Sequence, residues 1–243
     1  MKRILSVFFA ATLLFASTSC GDRLLKGEGK KSVDVRQVPA FDGLDISISS
    51  DVVINVNEGA TQKVELNGYE NVMKHVRTEV KGGVLHVEFD LDDTWTVDGD
   101  DIKITITVPS LRLLSMSGAH DAELHGDIRG AEFQLDLSGA TGVTIDNINV
   151  DKFEADLSGV AGLEVKGGSV KHASYDISGG GKIEAYPLQT EETELSFSGG
   201  ADGEVSASKK LDVSISGAGS VKYKGDPAIE KHISGVGSVS KAE

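Results

Sequence analysis

The chain of 243 residues has little of what most compact domains lean on. Aromatic residues make up 5% of it, proline occurs four times and cysteine once. So few large rings fit a thin, stacked structure better than a broad globular core. One cysteine excludes an internal disulfide framework. Basic residues are outnumbered, 24 against 38 acids. With Lys2 and Arg3 assigned to a leader, the mature chain carries 22 against 38, a net charge of -16. Such a surface repels nucleic acid and anionic lipid headgroups, which excludes nucleic-acid binding. Between Gly130 and Glu243 there is no arginine at all. No stretch shows a 3.6-residue apolar period, which excludes helical repeats. The only long apolar run, Ile4 to Ala16, is shorter than the ~20 residues that span a bilayer as a helix.

That run has another meaning. Met1-Lys2-Arg3, the apolar segment and Ser17-Thr18-Ser19-Cys20 form a charged, an apolar and a small-residue region in signal-peptide order. The lone Cys20 sits where a lipoprotein signal peptidase leaves an N-terminal cysteine for acylation. Residues 1–19 therefore read as a lipoprotein signal peptide, with Cys20 as the lipidation site and an outer-membrane address, facing the surface or the periplasm. A plain secretory signal with an incidental thiol is the alternative. Residues 20–35, polar and glycine-containing, read as a flexible tether.

Glycine is abundant, with 29 residues, and it is placed with regularity. Ser-Gly recurs at Ser117, Ser138, Ser158, Ser178, Ser198, Ser216 and Ser234, at spacings of 21, 20, 20, 20, 18 and 18. A fixed period near 20 marks a solenoid. Before each pair runs a period-two alternation, as in Phe133-Gln-Leu135-Asp-Leu137 and Leu211-Asp-Val213-Ser-Ile215. Such segments bury one face and expose the other. After each pair comes a small residue and a second short strand, as in Leu163-Glu-Val165. Glycine suits the corner because it tolerates positive φ. The expected fold is all-β: a right-handed parallel β-helix, a single-stranded solenoid with coils of about 18–21 residues. Residues 114–243 form its regular repeats. Residues 36–113 form an irregular β-rich N-terminal part with degenerate coils, a turn of helix near Tyr69 to His75 and a tight turn at Gly82-Gly83.

The series Val38-Pro39-Ala40-Phe41-Asp42-Gly43-Leu44, Asp51-Val52, Gly82-Gly83-Val84-Leu85, Val108-Pro109-Ser110-Leu111 and repeated Ser-Gly-Ala resembles the auto-transporter adhesin head GIN domain family. This is a domain of unknown function in bacterial envelope proteins. The resemblance covers about residues 36 to 240. It implies a parallel β-helix, often on a lipoprotein, and brings no catalytic motif with it.

Stacked coils place Asp136, Asp156 and Asp176 in one outward column, about 5 Å apart, where each like-charged pair costs roughly 1 kcal/mol before screening. Gln134, Glu154, Ser174, Glu194 and Asp212 form a second column. Together they are weak candidates for Ca²⁺, which takes several oxygen ligands, or for a basic partner; the plainer reading is a solvated acidic face. Asp90 to Asp101 reads as a loop with six aspartates and the only tryptophan, so Trp95, with Asp98, Asp100 and Asp101, is a binding candidate for a glycan or an envelope or host protein. The six histidines show no metal-binding spacing. Seven Ser-Gly pairs are corners rather than one nucleophile. The leading expectation is a non-catalytic envelope lipoprotein that presents a rigid β-helix for adhesion or partner binding. A carbohydrate-active enzyme on the same fold and a periplasm-facing scaffold are the alternatives.

Overall fold

A computed structural model describes residues 23–92, 95–97 and 102–242. In chain order its elements are β1 (Arg23–Leu25), β2 (Lys31–Arg36), β3 (Gly43–Ile46), β4 (Ser50–Val56), β5 (Lys63–Tyr69), α1 (Glu70–Met73), β6 (Val76–Lys81), β7 (Val84–Phe89), β8 (Trp95–Val97) and β9 (Lys103–Val108). There follow β10 (Leu113–Val165), β11 (Gly168–Glu184), β12 (Gln189–Ser206), β13 (Lys210–Ile215), β14 (Ala218–Lys224), β15 (Ala228–Ile233) and β16 (Val236–Lys241). The three longest run on through the corners of the coil. The fold is an all-β parallel β-helix.

The repeat period is also the stacking register. β10 pairs β11 at an offset of 20 residues, Phe153 on Ala173 and Ser158 on Ser178. β11 pairs β12 at the same offset. From β12 onward the offset is 18, as in Thr193 on Leu211 and Leu211 on Ile229. Where the coil shortens, Thr190 and Thr193 turn inward, and both donate to the Ser206 carbonyl. Their own hydroxyls lie 2.6 Å apart, so these buried polar groups stay satisfied as burial requires.

Period-two alternation makes the core. Leu135, Leu137, Ala155, Leu157, Tyr175 and Ile177 are all buried. Neighbouring columns trade volume. Where one passes from Phe153 to Ala173, the next passes from Ala155 to Tyr175. Phe153 thus stacks on Phe133 at 5.7 Å and meets the edge of Tyr175 at 5.7 Å. Burial pushes the Tyr175 phenol well above its ordinary pKa.

The corner glycines are needed for two separable reasons. Gly118, Gly139, Gly159, Gly179 and Gly199 have positive φ, as the corner requires. Gly217 and Gly235, in the 18-residue coils, do not. There a side chain is excluded by stacking alone: a Cβ on Gly217 would lie 2.1 Å from the Gly199 carbonyl oxygen.

The N-terminal part joins the same stack. β3 lies between β7 and the start of β10, and β4 between β9 and the His120–Gly126 segment, all parallel. Antiparallel strands then close this end: β6 on β7, β5 on β9 and β2 on β5. Gly82 and Gly83, with φ of 60° and 80°, form the two-residue β6–β7 turn. α1 supplies the helical turn.

Two expectations change. The tether assigned to residues 20–35 holds strands in its described portion. β1 pairs β8, β2 pairs β5, and Asn71 ties down the link by accepting from the Glu28 N–H and donating to the Lys26 carbonyl. The acidic segment around Trp95 is likewise no plain loop, since β8 lies within it. Both are paired through distant partners, which a local composition does not reveal.

Candidate functional site

The carboxylate column forms as the repeat implies. Asp156 lies opposite Asp176, and the column continues through Ser196, Ser214 and His232. Asp136 sits one 20-residue coil earlier. Toward the N-terminus the same outward row holds Ser115 on Asp45, and His86 Nδ1 lies 3.0 Å from Asp45 Oδ2. The second column also stacks: Glu154, Ser174, Glu194, Asp212 and Glu230.

The two columns differ in how their charge is met. In the second and its flank, lysines alternate with acids. Lys152 reaches Glu154 at 2.5 Å and Glu132 at 3.7 Å, and Lys210 reaches Asp212 at 3.4 Å and Glu230 at 3.3 Å. No lysine or arginine pairs with Asp136, Asp156 or Asp176 among the described ion pairs; Asp136 accepts from Gln134 at 3.1 Å. Partial desolvation raises the Asp156 carboxyl pKa, with further contributions from Asp136, Asp176 and Glu154. The carboxylates and Ser138, Ser158 and Ser178 border an open depression of about 360 Å³. These side chains run parallel along the rod rather than converging on one point. Among the described residues no three His, Cys, Asp or Glu side chains are grouped to hold a metal ion.

The histidines separate by face. His120 is buried in a corner, its Nε2 donating to the Ser117 carbonyl at 2.8 Å. His125 lies on the outer surface between Glu123 (3.3 Å) and Asp146 (3.2 Å). It borders an open hollow of about 800 Å³ with Arg129, Asn55 and Asn57. Desolvation works against the Asp146 charge, but hydrogen bonds from His125 and the Gly126 N–H prevail and lower its pKa.

Trp95 pairs with Arg23, whose guanidinium lies 5.6 Å from the ring centroid. The ring thus stacks on a cation from the N-terminal segment instead of standing alone among acids. Asp98, Asp100, Asp101 and the lipidation residue Cys20 lie outside the described residues. Unanticipated from the sequence are the hollow around His125, which three separate segments build, and the outward side of β2. There Lys31-Ser-Val33-Asp-Val35-Arg36 alternates, and the valines are the exposed phase. No helix of the described residues is long and apolar enough to cross a membrane.

The family described as "Putative auto-transporter adhesin, head GIN domain" matches residues 40–227. A putative adhesin from Bacteroides fragilis is similar in structure, with a TM-score of 0.84 at 24% identity over 90% of this chain and 100% of that one. A putative lipid binding protein from Parabacteroides distasonis gives 0.70 at 21% identity over 91% and 100%. A putative adhesin from Parabacteroides merdae gives 0.69 at 21% over 91% and 100%. At these identities the likeness shows the fold. No curated protein matches the chain.

Proposed function

Because the chain belongs to the head GIN domain family of auto-transporter adhesins, we propose that it is a non-catalytic, adhesin-like protein of the bacterial cell envelope. In this reading Cys20 is acylated and the β-helix is a rigid rod that binds a partner along one face. The observation that carries it is the column of Asp136, Asp156 and Asp176, held in register by backbone ladders and without basic partners among the described ion pairs. Charges fixed at a spacing of about 4.8 Å suit a cationic, extended partner such as a basic protein segment. Fixing them in advance limits the ordering cost of binding. Parallel rather than convergent carboxylates favour this over a glycoside-cleaving site, in which two must flank one bond.

Two measurements test the reading. Protease shaving of intact cells is expected to remove the wild type and to find Cys20→Ala released into the periplasm or medium. Protection until the outer membrane is permeabilised removes adhesion in favour of a periplasm-facing scaffold. Purified protein is expected to retain a lysine-rich peptide in a salt-sensitive manner, and the triple Asp→Asn variant at 136, 156 and 176 to lose most of that retention. Equal retention by the variant would sink the assignment of this face.

A further inference from the structure

The N-terminal end of the rod departs from the rest in both charge and polarity. Residues 23–36 hold five basic side chains, Arg23, Lys26, Lys30, Lys31 and Arg36, against two acids, Glu28 and Asp34, in a chain of net charge -14. In the same stretch stand three of the large exposed apolar residues: Leu24 at 60%, Val33 at 57% and Val35 at 44%. Val33 and Val35 lie on one side of β2 with Lys31, whose ammonium sits 4.6 Å from the centroid of the Tyr69 ring. Among the described residues β2 pairs only β5, which makes it an edge of the sheet. Gly27 lies against that same ring, where a Cβ would come within 2.2 Å of it. The Lys26–Lys30 link therefore packs on Tyr69 where it passes. Lys30 shares its charge with Glu70 at 3.5 Å, while the Lys26 side chain is exposed.

We propose that this β1–β2 end is a membrane-contact surface, seated in the headgroup layer of the bilayer that holds the acyl chains of Cys20. The inference rests on the lipoprotein reading given above. Only Gly21 and Asp22 separate Cys20 from Arg23, a reach of about 10 Å for extended chain. The headgroup region of one leaflet is about 5–8 Å deep. An acylated Cys20 thus brings β1 to the headgroups, within about a Debye length of their charge. Exposed valine and leucine side chains flanked by lysines are suited to that layer, and the acidic body is repelled from it. Attraction at one end and repulsion along the rest stand the rod away from the membrane.

Trp95 is the only tryptophan in the chain, and it pairs with Arg23 in β1. Its fluorescence therefore reports the position of this end. The test uses full-length acylated protein in vesicles of phosphatidylethanolamine and phosphatidylglycerol doped with headgroup spin-labelled lipid. The wild type is expected to show Trp95 quenching. Val33→Asp with Val35→Asp, and separately Lys26→Glu with Lys30→Glu, are expected to reduce quenching about twofold or more while the acyl chains still carry both proteins down with the vesicles. The lysine variant alters exposed side chains only and keeps the test valid if the valine variant misfolds. Acylated protein that pellets with vesicles but leaves Trp95 unquenched overturns the inference and spares the lipoprotein reading. A mature protein without acyl mass on Cys20, and without pelleting, overturns both. If the valine variant dissociates a dimer while quenching is unchanged, the surface serves a second copy instead.

Discussion

Asp156 lies directly opposite Asp176 on the neighbouring coil, with both carboxylates outward and no basic side chain paired with either among the described ion pairs. The rod holds like charges together at a cost to itself. Desolvation, then Asp136 and Asp176, raise the Asp156 pKa above its ordinary value. A raised carboxyl favours the protonated form in the folded state, so the penalty is present when pH exceeds the folded pKa and disappears below the unfolded value of about 3.9. Asp156→Asn is therefore expected to stabilise the fold at neutral pH by a few tenths to about 1 kcal/mol. Urea titrations at low and high salt check this: the gain should shrink with salt and vanish as pH falls through the carboxylate range.

Glycines in the coil should not be interchangeable. Gly159 combines a φ of 92° with a virtual Cβ 2.4 Å from the Gly139 carbonyl oxygen, whereas Gly162 has ordinary φ and nothing within 4 Å. Gly159→Ala is expected to cost about 2–4 kcal/mol, and Gly162→Ala to stay within about 1 kcal/mol of wild type. Gly217→Ala should also destabilise, through the Gly199 carbonyl at 2.1 Å alone. Denaturant unfolding of the three variants separates dihedral strain from steric exclusion.

Phe153 joins the two volume-trading columns of the core. It is fully buried, stacked on Phe133 and edge-on to Tyr175. Phe153→Ala is expected to destabilise by about 3–5 kcal/mol, because coils held by backbone ladders collapse poorly around a cavity. A fall in melting temperature with unchanged far-ultraviolet circular dichroism at low temperature is the expected signature.

At the other end of the rod, β15 lies on β13 with Lys231 in register on the buried Val213. An inward-side charge on a terminal strand discourages strand addition by another molecule. Lys231→Val would continue the apolar column of Leu195 and Val213 beside the exposed Ile229 and Ile233. It is expected to promote self-association, read as a concentration-dependent rise in mass by sedimentation. A variant that stays as monodisperse as wild type at every concentration removes this role for Lys231.

The sequence by itself determined the coil, its period and its register. Ser-Gly pairs 18 to 21 residues apart and period-two alternation are local signals, and identical coils can stack only with like positions aligned. The carboxylate column followed from that alignment. Tertiary structure decided what depends on contacts between distant or dissimilar segments. It made Gly217 a matter of stacking rather than of φ, and it fitted Tyr175 beside Ala155. It also turned the N-terminal segment into strands, because Trp95, Tyr69 and Asn71 hold what composition alone describes as a polar tether. In β2 the tertiary structure decided which phase faces water: among the described residues Val33 and Val35 stay exposed on this edge strand.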